Sequence, residues 1–130
     1  MTPEHLKQRT IAAAETILGC GYNVINLNGL ESATNAPFTQ YEGNRLHKSP
    51  VAQAAALAFA LIKNHCFIDG NKRTAFMMTV EYLAYYNLRL KDSLDPDEVA
   101  AMYIKVAAGQ ASRDELRRYL SVNVELISRH

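Results

Sequence analysis

The chain has 130 residues, 14 basic against 13 acidic, for a formal charge of +1. That length suits one domain, residues 1–130, with a core that needs no staples, and the balanced charge gives no global field toward nucleic acid. Two cysteines, Cys20 and Cys66, do not suggest a disulfide framework, and no secretory leader or membrane-spanning apolar run is read, so the expected compartment is the cytoplasm, with no membrane and no direct nucleic-acid partner.

Helix signals dominate from the start. Thr2-Pro3 reads as an N-cap and first helical position, opening a helix with Leu6, Ala13, Ile17 and Leu18 inward and Gly19 or Gly21 stopping it. A short helix follows near residues 29–35. The stretch from Ala36 to Asn44 carries Pro37, Phe38, Thr39, Tyr41 and a Gly43-Asn44 pair, which favour an extended segment with a turn, an ordinary surface loop being the plain alternative.

Ser49-Pro50 opens the next long helix. Val51, Ala54, Ala55, Ala58, Leu61 and Ile62 make one face, while Ala52, Ala56 and Phe59 extend the apolar character around it. A helix apolar nearly all round belongs at the centre of a fold. Ala75, Met78, Thr79, Tyr82, Leu83 and Tyr86 then keep helical spacing up to Asn87. Asp95-Pro96-Asp97-Glu98 and Ser112-Arg113-Asp114-Glu115 both resemble capping boxes. They open helices on Val99, Met102, Tyr103 and Val106, closed by Gly109, and on Leu116, Tyr119, Leu120, Val124 and Ile127. Arg113, Arg117 and Arg118, interleaved with Asp114 and Glu115, read as a solvated face. No repeat, low-complexity segment or linker divides the chain. The expectation is an all-α, compact helical bundle with a short extended segment before its central helix.

The chemistry concentrates between the two core helices, in His65-Cys66-Phe67-Ile68-Asp69-Gly70-Asn71-Lys72-Arg73-Thr74. The first N–H groups of a helix have no intrahelical partner and, with the helix dipole, attract anions. Gly70 permits close backbone approach, and Asn71 suits a helix start. Lys72 and Arg73 then stand at the positive end of the dipole, a conflict that an anionic ligand resolves. Asp69 offers the hard oxygen that magnesium takes alongside substrate phosphate. His65 has the side chain whose unperturbed pKa suits proton abstraction near neutrality. Each part has a plainer reading: a capping histidine, an Asp-Gly-Asn turn, a solvated Lys-Arg pair. A zinc site on His65 and Asp69, four apart, conflicts with Gly70, which interrupts a helix there. Cys66 reads as an inert small hydrophobe.

These ten residues resemble the signature of the Fic/Doc superfamily, His-x-Phe-x-(Asp/Glu)-Gly-Asn followed by Gly-Arg or Lys-Arg. The Lys72-Arg73 form, the Ala-rich preceding helix and the Thr74-Ala75 continuation resemble its death-on-curing (Doc) branch, the toxins of type II toxin–antitoxin pairs. A weaker similarity runs from about Asn28 through Tyr86. The resemblance implies a Fic-like fold in which the segment before the central helix is a flap that holds a target peptide by strand pairing. It implies His65 as the base toward a target hydroxyl, Asp69 as the magnesium ligand, Gly70, Asn71, Lys72 and Arg73 as the phosphate cradle, and Phe67 as a buried anchor. ATP and magnesium are the implied substrate and cofactor. The implied partners are a Phd-like antitoxin whose tail folds onto the toxin and a target protein, with translation elongation factor Tu the family's target class.

In the AMP-transferring Fic branch a glycine holds the place of Lys72 and a second arginine the place of Phe76. A lysine partly fills the space above the bare N–H groups, and the missing arginine removes a bidentate phosphate clamp. In the Doc-like branch the nucleotide lies reversed and presents its γ-phosphate, so the same loop phosphorylates. The expected activity is transfer of that phosphate to a protein hydroxyl. The alternatives are AMP transfer and a non-enzymatic helical binding module with an idle anion loop. Ser121 through Glu125 has the spacing of a self-inhibitory Fic helix, but Leu126 departs from that pattern and Phe76 replaces the arginine such a glutamate engages, so self-inhibition is not expected.

Overall fold

Local side-chain chemistry sets where five of the six α-helices among the described residues start. In the computed structural model, which describes residues 1–19 and 22–127, helix α1 spans Pro3–Leu18 with Thr2 as N-cap, its side chain accepting from the His5 N–H. The helix stops at Gly19, at φ 62°. Gly21, the other expected stop, and Cys20 lie outside the described residues. Helix α2, Leu27–Asn35, is capped by Asn26, and a 3-10 turn follows over Ala36–Phe38.

Only the second part of the expected extended stretch is extended. Strands β1, Gln40–Tyr41, and β2, Asn44–Arg45, pair antiparallel as a hairpin, while Pro37 is buried in the 3-10 turn. The two hairpin-turn residues, Glu42 and Gly43, both have positive φ, the backbone that matches the twist of a two-residue hairpin.

Helix α3, Pro50–Lys63, is capped by Ser49 and buries Gln53 through Ala58 together with Leu61 and Ile62. It packs along α2, along α4 (Asn71–Tyr85) and along α6 (Arg113–Val122), which makes it the central helix its composition predicts. Its small alanines let the neighbouring backbones approach, and Leu57 and Leu61 fill the space between them with Phe67, Met78, Leu116 and Leu120, all buried. Gln53, polar and apart from the apolar pattern, is nevertheless buried. It is satisfied on both sides: it accepts from the Tyr82 hydroxyl at 2.7 Å and donates to the His47 carbonyl at 3.1 Å.

The last third of the chain corrects three expectations. Helix α5, Pro96–Ala107, begins at Asp95, but that side chain accepts from the Asp97 N–H rather than closing a capping box. The Ser112 box is complete, with both reciprocal bonds present. Val124 and Ile127 do not continue α6. The chain leaves the helix at Asn123 and forms strand β4, Val124–Leu126, antiparallel to β3, Leu88–Leu90, with Leu88 opposite Leu126 and Leu90 opposite Val124. The Ile127 N–H then donates to the Asn87 carbonyl at 2.9 Å. A strand of three residues whose partner lies some 36 positions earlier leaves no mark on local helical periodicity. Tyr86, expected on the core face of α4, lies just beyond the helix and is partly exposed. The fold remains mostly helical: six α-helices and two two-stranded sheets among the described residues. None of these helices is long and apolar enough to cross a membrane.

Candidate active site

The loop between α3 and α4 is built from its ends inward. Asn64 caps α3, and His65 follows with φ 47°, a left-handed backbone uncommon for a residue with a Cβ. Phe67, fully buried, roots the loop in the core. A strap from residues 23–26 runs antiparallel beside it: Val24 bridges Phe67, the Ile25 N–H donates to the Cys66 carbonyl at 2.9 Å, and the Ile68 N–H donates to the Asn23 carbonyl at 3.0 Å. The far end is closed by Asn71, whose amide takes both backbone groups of Phe67.

Between these anchors the polar side chains face outward. His65 and Asp69 are exposed, and His65 Nδ1 lies 3.5 Å from Asn71 Nδ2, a long contact. Asp69 Oδ1 accepts the Gly70 N–H at 2.7 Å, which fixes the carboxylate beside the turn. Gly70 has φ 72° and ψ 18°, and it passes directly into α4 without a side-chain cap. The helix therefore begins with open N–H groups, and the Thr74 N–H is the first to find an intrahelical carbonyl, that of Gly70. No acid stands in its first turn, and Lys72 and Arg73 are exposed with no ion pair among the described residues.

His65, Asp69, Gly70, Asn71, Lys72 and Arg73 line one cleft of about 370 Å³. Lys72 and Arg73 also line a larger groove of about 720 Å³, whose other walls include Phe76, Met77, Leu94, Val99 and Tyr103. Phe76 packs edge-on against Tyr103, ring centroids 5.6 Å apart. A polar cleft thus opens beside an apolar groove, with the two cations between them.

An anion in the cleft meets unpaired N–H groups, the positive end of the α4 dipole and two cationic side chains. A nearby imidazole is available for proton transfer. Asp69 alone is too sparse for a metal held by protein only, and among the described residues no group of three His, Cys, Asp or Glu side chains converges. One carboxylate suits magnesium, which keeps most of its shell for water and phosphate oxygens. Cys66 has no part in nucleophilic chemistry here: it is buried, and burial pushes its thiol up to about 11.

The six site residues expected from sequence all reach one place. Asn71 has a different part from a simple helix opener, because its amide is spent on the loop backbone. The strap at residues 23–26 was not anticipated. Its one signal is Asn26 three residues before Gly29, an N-cap pattern that says nothing of what else the side chain touches. The segment with self-inhibitory spacing runs from the end of α6 at Ser121 and Val122 into strand β4, where Glu125 pairs with Arg89 at 3.4 Å and does not line the cleft.

The fold, with a loop bearing His65 mounted between two buried helices and an open helix N-terminus bearing Lys72-Arg73, defines a protein of the Fic/Doc type. A model of the Fic/DOC family matches residues 2–83, and the chain belongs to that family. It is similar to Toxin Doc of Mycolicibacterium smegmatis (strain ATCC 700084 / mc(2)155), with 27% identity over 119 residues, covering 91% of this chain and 92% of that protein.

Proposed function

We propose that the chain, a single Doc-like domain, is a toxin that transfers the γ-phosphate of ATP to a hydroxyl of a target protein. The expected target class is a translation factor such as elongation factor Tu, so that translation and growth stop. The observation that carries this reading is the first turn of α4, where Lys72 and Arg73 stand unpaired over open N–H groups while Phe76 is held against Tyr103. Phosphates bind well there, but the second arginine that clamps the AMP-transfer pose is replaced by an apolar ring.

In the reaction, His65 accepts the proton of the target hydroxyl as its oxygen bonds to the γ-phosphorus. The bond from that phosphorus to the β,γ-bridging oxygen breaks, and ADP leaves. Arg73, Lys72 and the N–H groups of α4 bind the phosphate oxygens and offset the charge that develops on them. Asp69 would hold magnesium, which supplies charge neutralisation between phosphate oxygens. The β1–β2 hairpin, whose Tyr41 is 72% exposed, offers edges on which an extended target segment can pair.

Similarity to a toxin also supports a separate antitoxin, Phd-like, whose tail folds onto this chain. The apolar groove beside Lys72 and Arg73 has the size and lining for an amphipathic segment. The proposed compartment is the cytoplasm, where ATP, target and antitoxin meet.

The test is transfer of label from α-labelled and γ-labelled ATP, with magnesium and a bacterial lysate, in wild type and His65→Ala. Label from the γ position alone, lost in the variant, is the expected result. Label from the α position makes the chain an AMP transferase. Magnesium-dependent ATP binding that Asp69→Ala leaves untouched, with no transfer of either label, leaves a binding module with an idle anion loop.

A further inference from the structure

The peptide unit that joins Asn64 to His65 is gripped by a reciprocal side-chain clasp. Asn26 Nδ2 donates to the Asn64 carbonyl at 2.8 Å, and Asn64 Nδ2 donates back to the Gly29 carbonyl at 2.9 Å. Asn26 Oδ1 meanwhile accepts the Gly29 N–H at 2.9 Å as the N-cap of α2. One amide thus caps a helix with its oxygen and holds the candidate active-site loop with its nitrogen. Gly29 is what makes room: a Cβ there would stand 2.7 Å from Asn26 Cγ and 3.0 Å from Asn64 Cβ.

The Asn64 carbonyl and the His65 N–H belong to the same planar peptide. The His65 N–H is held only at 3.3 Å, by the Ile62 carbonyl, so the Asn26 bond is the shorter of the two that fix this plane. The plane's orientation sets φ of His65, and with it the direction of the Cα–Cβ bond. His65 has φ 47°, a conformation that a residue with a Cβ adopts at a cost and that the surroundings must impose.

We infer that Asn26, acting through Asn64, is a positioning residue that orients the His65 ring toward the target hydroxyl, an assignment that rests on the role proposed for His65. The chemistry is specific to asparagine at position 26. An aspartate keeps the oxygen that caps α2 and gains from the helix dipole, but it has no N–H for the Asn64 carbonyl and sets oxygen against oxygen. Asn26→Asp therefore separates the clasp from the cap.

The experiment compares wild type, Asn26→Asp, Asn26→Ala and Asn64→Ala in γ-label transfer, ATP affinity, and the NMR signals of the His65 ring protons. Misplacing a base by about 1 Å costs on the order of 10- to 100-fold in kcat. That loss is expected in Asn26→Asp and Asn64→Ala, with ATP affinity within about threefold of wild type, because the phosphate cradle lies on α4. The His65 ring signals shift in both. Folded variants with wild-type kcat and unshifted His65 signals overturn the inference. Should Asn26→Asp not fold, Asn64→Ala carries the same readings. A wild type that transfers no label sinks the proposed function, and the ring signals still decide whether the clasp orients His65.

Discussion

Asn71 and Phe67 are tied by two hydrogen bonds through one side chain: Asn71 Oδ1 accepts the Phe67 N–H at 3.0 Å, and Asn71 Nδ2 donates to the Phe67 carbonyl at 2.8 Å. An amide here does what a neighbouring strand would do, satisfying both backbone groups of a buried residue. It thereby locks the loop that carries His65 and Asp69 to the start of α4, which carries Lys72 and Arg73. Asn71→Ala leaves two buried backbone groups unpaired, at a cost of about 1–3 kcal/mol for each. The expected outcome is a lower urea midpoint together with weaker ATP binding and slower transfer, since both halves of the cleft lose their common anchor.

His65→Ala is expected to reduce transfer by roughly 10²- to 10⁴-fold while ATP affinity changes little, because the base acts on the hydroxyl and not on the nucleotide. Single-turnover rates and ATP titration check the two separately. Turnover at the wild-type rate would remove His65 from the mechanism. If the chain is a toxin, its expression alone arrests growth of a host containing the target, and the same variant relieves the arrest.

Arg73→Ala is expected to weaken ATP binding and rate together, as it meets phosphate in the ground and transition states. Chelation of magnesium, or Asp69→Ala, should remove the magnesium dependence of ATP binding. An Asp69→Ala variant with unaltered magnesium dependence would place the metal elsewhere.

His47 is nearly buried, and its pKa is held below the ordinary 6.5, first because burial disfavours the charged ring and second because Arg113 repels it. A histidine depressed in the folded state is protonated first in the unfolded chain. Its contribution to stability is therefore whole above 6.5 and is lost as pH falls through the folded value. Urea midpoints taken across that window should fall with acidification in wild type and fall less in His47→Gln. Equal slopes in the two proteins would show that other groups govern the acid limb.

Leu57 is fully buried at the centre of α3, the helix that packs against α4 and α6. Leu57→Ala should cost about 2–5 kcal/mol, the transfer term plus the cavity left among packed helices. Thermal unfolding checks it, and a loss below about 1 kcal/mol would mean that the surrounding helices close over the space.

The sequence by itself determined most helix starts and which side chains the loop brings together, because both depend on neighbours a few residues apart. Thr2-Pro3, Ser49-Pro50 and Ser112 with Glu115 mark helix starts through bonds within one turn. The ordered run from His65 to Thr74 carries an imidazole, a carboxylate, a glycine and two cations within ten residues. Only the tertiary structure decided what holds those parts in place. The strap at residues 23–26, the Asn26–Asn64 clasp, the buried Tyr82–Gln53 bond and the β3–β4 pairing all join positions distant in the chain. Val124 and Ile127 fit a helical period, yet β4 pairs with β3, because Asn123 ends the helix where the strand backbone at 88–90 offers hydrogen-bond partners. Periodicity reports which face of a helix is apolar; which backbone groups remain to be satisfied, and by whom, is settled only when the helices have packed.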